Sequence, residues 1–170
     1  MIRSAFFAAP LFAITLVAVD ASAHVTFEVA QAPANSTYKA VLRVPHGCGA
    51  AATTAIRIRI PDGASEVKPM PKPGWTLTVV PGPAQATPAA AADHAPAATV
   101  QEVRWSGGNL PDAFYDEFVM RLKLPNTPNT TVYFPVVQEC GAAVTRWIEI
   151  PQAGQPAPPE PAPGVRLIAP

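Results

Sequence analysis

Charge is scarce in this chain and evenly divided between the two signs. Charged residues make up 14% of the sequence, and 12 Lys and Arg balance 12 Asp and Glu, so the formal net charge is zero. The cations are scattered, and no basic run is present. Proteins that bind nucleic acids need a basic patch to neutralise phosphates. The composition therefore argues against nucleic acid as a partner.

The sequence also lacks the short motifs that mark many enzymes. It has no HExxH, no GxSxG, no glycine-rich phosphate loop and no CxxC. These motifs supply the metal ligands, nucleophiles or phosphate cradles of hydrolases, kinases and thiol redox proteins. Without any of them, we expect a binding protein and not an enzyme.

Long apolar runs are confined to the start of the sequence. Arg3 precedes an apolar segment over residues 5–19, which is too short for a membrane span, and Ala21-Ser22-Ala23 follows it. This pattern predicts a signal peptide over residues 1–23. The protein would then be exported to the periplasm or another extracytoplasmic compartment. The mature chain would begin at His24 and contain no transmembrane helix.

Cysteine is limited to Cys48 and Cys140. An even number of cysteines in an exported chain is typical of a disulfide. Two free buried thiols are the alternative. A bridge would close a loop of about 90 residues, for which the chain-entropy model gives roughly 4–5 kcal/mol of stabilisation.

Short alternating runs rich in β-branched residues recur along the chain, separated by Pro, Gly and Asn. The run TTAIRIRI, for example, alternates like a strand with one buried and one solvated face. No segment of the mature chain has a convincing helical period. The sequence therefore predicts an all-β, antiparallel β-sandwich of immunoglobulin or fibronectin III type with about nine strands. The predicted strands are 24–30, 37–45, 53–60, 65–70, 75–80, 98–105, 114–124, 130–138 and 143–150.

Two segments depart from this pattern. Residues 81–97 are rich in Ala and Pro and predict a flexible loop in which His94 is solvated. The sandwich is expected to span residues 24–151 and to be followed by a Pro-rich tail over residues 152–170. The end of that tail, GVRLIAP, is either an additional edge strand or a docking segment.

Strand direction predicts which loops lie together. Consecutive strands of an antiparallel sandwich usually alternate in direction, so every second loop falls at the same end. The end that holds His24 also receives both cysteines, which supports their pairing. Loops on a rigid scaffold are where binding sites are commonly built. The other residues assigned to this end are His46, Trp75, Trp105, Asp112, Asp116, Glu117, Glu139 and Trp147.

After cleavage behind Ala23, His24 would offer two nitrogen ligands. An α-amine has a reference pKa of about 7.7–8.0, so a metal ion can displace its proton at neutral pH. The imidazole closes the chelate through Nδ1. Nitrogen chelation of this kind favours Cu(II). A terminal histidine without a metal role is the alternative.

Other side chains at this end are weaker candidates for the same metal. His46, in the sequence PHGC, is the second nitrogen candidate; otherwise it is a loop histidine bonded to a backbone carbonyl. Four carboxylates are either oxygen ligands or solvated loop residues. They are Asp112, Asp116, Glu117 and Glu139.

Several stretches resemble the YcnI-type domain of exported copper-binding proteins. They are AHVTFE at 23–28, VLRVPHGC at 41–48, VKPMPKPGW at 67–75, WSGGNLPDAFYDEF at 105–118, and YFPVVQEC with TRWIEIP within 133–151. The resemblance implies a β-sandwich that binds Cu(II) through a mono-histidine brace, which is the amine and imidazole of one histidine, completed by an acidic side chain and a tryptophan. His24 matches the brace and Trp147 the tryptophan. His46 stands where some relatives carry Glu.

These observations give one leading hypothesis and two alternatives. The first is an exported protein that holds Cu(II) at His24 and acts in copper delivery, acquisition or homeostasis. Its partners would be the copper ion and either another copper-handling protein or a membrane copper transporter. A copper-dependent oxidative enzyme that also uses His46 is the second. The third is a sandwich interaction domain with no metal.

Overall fold

The computed structural model describes residues 24–82 and 99–170, which form twelve β-strands and no helix. The strands are β1 (Thr26–Phe27), β2 (Gln31–Pro33), β3 (Thr37–Val44), β4 (Thr53–Arg59), β5 (Ser65–Pro69), β6 (Thr76–Pro81), β7 (Val100–Leu110), β8 (Asp116–Lys123), β9 (Thr131–Tyr133), β10 (Val136–Cys140), β11 (Ala143–Trp147) and β12 (Gly164–Ile168). The predicted signal peptide, most of the predicted 81–97 loop and His94 lie outside the described residues.

The strands form three sheets around one core. A four-stranded sheet has the order β1-β3-β8-β5, a five-stranded sheet the order β11-β10-β4-β7-β6, and a three-stranded sheet the order β2-β12-β9. All pairs are antiparallel except β2 with β12. The all-β, antiparallel, immunoglobulin-like sandwich predicted from the alternation is confirmed.

The chain changes sheets at two of the predicted strands: 130–138 is divided into β9 and β10, and 24–30 holds only β1, with β2 following at Gln31–Pro33. In the predicted strand 24–30, Glu28 still donates to Val41 O of β3, whereas Ala30 O accepts from Arg166 N of β12. In the predicted strand 130–138, Phe134 N donates to Pro163 O, whereas Pro135 O accepts from Arg59 N. Proline cannot donate to a ladder, which suits it to such a break. These changes of sheet account for part of the excess over nine strands.

The C-terminal segment is the main correction to the predicted organisation. Residues 164–168 were expected in a tail beyond residue 151. Instead β12 lies between β2 and β9, and its Val165 and Leu167 side chains are fully buried. Because it lies between two strands, β12 is the central strand of its sheet and not an edge strand. Its apolar side chains alternate inward, as expected for a strand that packs on the core.

The core is built from the inward-facing residues of the sheets. Phe27 and Phe134 pack edge to face with ring centroids 4.9 Å apart, and Trp75 and Trp105 both pack on Phe118. Trp105 is fully buried, and its indole nitrogen donates to Met70 O at 3.0 Å. These two tryptophans, assigned by strand direction to the His24 end, therefore contribute to packing.

The predicted end of the strand 98–105 is wrong. β7 continues through Ser106-Gly107-Gly108 to Leu110, with a register shift against β4. Gly107 has a φ of 77°, which glycine adopts without strain. At Gly108 a Cβ atom would lie 2.1 Å from the Trp75 ring, so the strand needs glycine where the indole covers it.

None of the described residues belongs to a helix long and apolar enough to cross a membrane.

Candidate functional site at the His24 end of the sandwich

The loop that follows β3 is held by a disulfide and by a hydrogen bond at the adjacent residue. Cys48 and Cys140 form the predicted disulfide, with Cα atoms 5.9 Å apart. Gly47 N donates to Asp112 Oδ1 at 3.0 Å. A Cβ atom on Gly47 would lie 2.1 Å from Ala51 O, so glycine is required in this tight turn. The strand-direction argument correctly brought both cysteines and Asp112 together.

His46 lies in this loop, half-buried. Its Nδ1 donates to Gly47 O at 2.6 Å and is 4.0 Å from Asp112 Oδ1. This is the bonding pattern of the loop-histidine alternative. In the neutral ring that pattern places the lone pair on Nε2.

A buried glutamine connects this loop to Trp147. Gln138 is 1% exposed, and its side-chain nitrogen donates to His46 O at 2.7 Å and to Thr53 Oγ1 at 2.8 Å. Its side-chain oxygen accepts from Trp147 Nε1 at 3.0 Å. Both ends of the amide are thus bonded, as a buried polar group requires.

Trp147 in turn lies against His24. The two rings are edge to face, with centroids 5.7 Å apart and planes at 88°. Trp147 is 4% exposed, so it forms a rigid apolar wall beside the half-buried imidazole. Trp147, which the family resemblance matches to the tryptophan of the site, thus lies beside His24.

Another contact of the His24 ring comes from the Pro-rich segment. His24 Nε2 lies 3.1 Å from Pro159 O. A carbonyl oxygen only accepts, so Nε2 carries the hydrogen, and the neutral ring has its lone pair on Nδ1.

Two glutamates hold the Pro-rich segment in place. Glu160 N donates to Glu149 Oε2 at 2.8 Å, and Glu149 N donates to Glu160 O at 3.2 Å. Glu160 Oε2 also accepts from Arg146 N at 3.3 Å, which covers part of the outer edge of β11. The position of Pro159 is therefore fixed by the hydrogen bonds that the adjacent Glu160 makes with Glu149.

Three of the four carboxylates proposed as ligands pair with a Lys or Arg side chain. Asp116 pairs with Lys72 at 2.6 Å. Glu117 lies 3.8 Å from Arg43, and Glu139 lies 3.2 Å from Arg104. Cations of this kind compete with a metal ion for the carboxylate oxygens.

Ionisable groups elsewhere are shifted by burial or by neighbouring charge. Burial, with a smaller contribution from the Glu28 carboxylate, raises the pKa of Tyr38 to about 12. The Tyr38 hydroxyl donates to Val29 O at the point where the chain leaves the first sheet. A hydrogen bond to Glu102 is the largest cause of the raised pKa of Arg57.

Among the residues that the structure describes, no three His, Cys, Asp or Glu side chains are grouped as a metal cage. A site made of one imidazole and a chain-terminal amine contains only one such side chain. Its donor set therefore has to be judged from His24 and its surroundings.

Comparison with known proteins places this geometry in a family. A family model described as "Domain of unknown function (DUF1775)" matches residues 24–167. The chain belongs to this family. It is the YcnI-type family that the sequence motifs resemble. The match extends through most of β12, in agreement with the place of that strand in the fold.

A solved structure supports the fold of this DUF1775 domain. It is a crystal structure of an uncharacterised protein from Nocardia farcinica, described as revealing an immunoglobulin-like fold. The two chains share 27% identity with a TM-score of 0.66, over 85% of this chain and 98% of that one. No protein of curated function matches this chain significantly.

The motifs of the DUF1775 domain left three parts of the site unassigned. Gln138 could have been found, because it has the same parity along β10 as Val136 and Cys140 and must face inward. Pro159 and the pair Glu149 and Glu160 had no such signal. Their contacts arise only when the Pro-rich segment folds back along β11.

Proposed function

We propose that the mature protein binds Cu(II) at His24 through the α-amine and Nδ1 and passes the ion on in copper delivery, acquisition or homeostasis. The contact between His24 Nε2 and Pro159 O carries this proposal, because it assigns the hydrogen to Nε2. A chelate with the amine of the same residue needs the lone pair on Nδ1. Hydrogen bonds to the ring nitrogen that faces away from the metal commonly orient metal-binding histidines in this way.

The surroundings of His24 also suit this role. Trp147 shields one side of the ring, and Gln138 holds the Trp147 indole. The indole is a buried apolar wall, so it limits the access of water from that side. A copper ion bound to the amine and imidazole would supply the Lewis-acid centre, while these residues orient the imidazole.

We further propose binding and transfer rather than turnover. A single residue supplies both nitrogens, so most positions around Cu(II) remain available to water or to a donor from a partner. Such a site can exchange its ion with another copper-handling protein or a membrane copper transporter. Export to the periplasm or another extracytoplasmic compartment, with cleavage behind Ala23, is part of this proposal because the amine exists only after cleavage.

The decisive experiment compares protein that begins at His24 with protein that carries one additional Ala before it. The extension keeps the imidazole and moves the amine out of its chelate ring. Loss of one arm of a bidentate ligand should weaken Cu(II) binding at least about tenfold, which is about 1.4 kcal/mol. Calorimetric titration and the electron paramagnetic resonance spectrum of the bound ion measure the change.

His46→Ala provides the comparison within the same end of the domain. If His46 only supports its loop, this variant should lose thermal stability but keep Cu(II) affinity within about twofold. Equal affinity and spectra for the extended and unextended proteins would refute the proposal. Peroxide production by the copper-loaded protein with a reductant, abolished by His46→Ala, would instead favour the oxidative enzyme.

A further inference from the structure

The outer face of the four-stranded sheet carries a row of three cations. Lys39 of β3 lies opposite Arg121 of β8, and Arg121 lies opposite Lys68 of β5. Adjacent strands are about 4.7–4.9 Å apart, so the three side chains leave the sheet side by side. Like charges directly opposite each other destabilise a sheet. The stability of the fold therefore does not explain this row.

The row also has no acidic partner. Within residues 24–82 and 99–170, no carboxylate lies within ion-pair distance of Lys39, Lys68 or Arg121. Arg43 and Lys72, on or beside the same sheet, both have one. The chain as a whole has no net charge, so a general excess of basic residues is not the cause.

An apolar groove of about 370 Å³ adjoins the row. The three cations line it together with Thr37, Met70, Val119 and Met120. Met70 N donates to Val119 O at 2.8 Å, which places these two residues side by side, and Met70 is 53% exposed. The volume lies in the range of about 300–1,000 Å³ that small-ligand sites occupy.

We propose that this groove binds an anionic amphiphile, an acyl chain that carries a phosphate or carboxylate head. The head lies on Lys39, Lys68 and Arg121, where it relieves their mutual repulsion. The chain lies against Met70 and Val119 and removes their apolar surface from water. This site is separate from His24, and the proposal does not depend on copper binding at His24.

Other ligand classes fit the groove less well. A small hydrophilic anion would satisfy the cations but leave the apolar lining in water. A neutral apolar ligand would leave the three cations unpaired. An extended acidic peptide would be expected to add to the free edge of β5, because β-augmentation uses main-chain bonds at an edge. The groove instead lies on the outer face of β3, β8 and β5, where the sheet presents side chains and not main-chain groups.

The test measures binding of decyl phosphate, below its critical micelle concentration, to the purified protein by calorimetry. The triple variant Lys39→Gln, Lys68→Gln, Arg121→Gln should bind at least about tenfold more weakly. It removes like-charge repulsion, so the variant should fold at least as stably as the parent. The matched control is Arg59→Gln, Arg146→Gln, Arg166→Gln, which removes the same charge from exposed positions elsewhere and should change the affinity less than about twofold.

Two further experiments identify which part of the ligand is recognised and whether the ligand is a free amphiphile or a bilayer lipid. Met70→Gln should weaken decyl phosphate binding about threefold or more without affecting inorganic phosphate. Flotation with vesicles containing phosphatidylglycerol, against vesicles of phosphatidylcholine alone, distinguishes a bilayer from a free amphiphile. Binding of either source that depends on the three cations supports the inference.

Four results would overturn it. The first is inorganic phosphate binding as tightly as decyl phosphate. The second is decanol binding as tightly as decyl phosphate. The third is an acidic peptide that competes for the three cations while decyl phosphate does not bind. The fourth is equal binding of decyl phosphate or vesicles by the parent and the triple variant, including no binding by either.

Discussion

The rings of His24 and Trp147 are edge to face, with centroids 5.7 Å apart, and the indole nitrogen of Trp147 donates to Gln138 at 3.0 Å. Gln138 also bonds His46 O and Thr53 Oγ1. The wall beside His24 and the loop fastened by the disulfide are therefore held by one amide. A substitution of Gln138 should therefore disturb both the Trp147 ring and the loop that contains His46.

Replacing Gln138 with Met should destabilise the protein by about 2–4 kcal/mol. The substitution keeps the volume but leaves the Trp147 nitrogen, the Thr53 hydroxyl and the His46 carbonyl without their buried partner. Chemical denaturation measures the free energy of unfolding. The exposed Gln101→Met is the control and should change it by less than about 0.5 kcal/mol. A loss at Gln138 no larger than at Gln101 would contradict the role given to the amide.

Trp147 should report copper binding through its fluorescence. Cu(II) quenches nearby indoles, and Trp147 is the tryptophan that contacts His24, whereas Trp75 and Trp105 pack on Phe118. Trp147→Phe should remove most of the Cu(II)-dependent quenching in protein that begins at His24. The calorimetric titration shows whether the variant still binds the ion. Full quenching in Trp147→Phe would place the metal near another tryptophan.

Glu149→Ala should weaken Cu(II) binding about threefold to tenfold while changing the fold little. The exposed carboxylate accepts from Glu160 N, and this bond fixes the neighbouring Pro159 carbonyl that orients His24. Asp62→Ala removes another exposed carboxylate, in the turn between β4 and β5, and should leave the affinity unchanged. If Glu149→Ala also leaves it unchanged, the Pro-rich segment does not position the imidazole.

The buried hydroxyl of Tyr38 should make the protein sensitive to alkali. Its pKa is raised to about 12 from the 10.0 of an unburied tyrosine, so folding favours the neutral form. This contribution to stability is fully present below pH 10 and is lost as the pH rises through 12. Tyr38→Phe should be less stable at neutral pH, because it loses the bond to Val29 O, but its stability should fall less steeply between pH 10 and 12.

Denaturation at a series of pH values measures this difference. The control is Tyr115→Phe at an exposed position, where a hydrogen bond to Glu117 raises the pKa. Its alkaline slope should change less than that of Tyr38→Phe. Identical slopes for Tyr38→Phe and the parent would show that the Tyr38 hydroxyl does not titrate with unfolding.

The sequence predicts the strands with simple alternation well, because burial on one face of a sheet imposes a period of two. Thr53–Arg59 and Thr37–Val44 are each within one residue of their predicted ends. A change from one sheet to another has no comparable pattern in the sequence. Residues 130–138 were predicted as one strand, yet they serve two different sheets, and β2 at Gln31–Pro33 was not predicted.

The site was predictable to the extent that it depends on strand direction and on family motifs. Both cysteines, Asp112 and Trp147 were assigned to the correct end. The orientation of His24 was not predictable, since it depends on a backbone carbonyl 135 residues away. Backbone groups carry no side-chain signature, and a Pro-rich segment gives no period from which its path could be inferred.

The position of β12 has a consequence for how the molecule reaches its native state. Along the chain this strand follows the other eleven described strands, yet it lies between β2, near the start of the sandwich, and β9. Until residues 164–168 have been synthesised, the nascent chain lacks the strand that closes the three-stranded sheet. The sandwich therefore cannot be completed before Gly164–Ile168 is available, and a chain truncated before Gly164 has two unsatisfied strand edges and an open core.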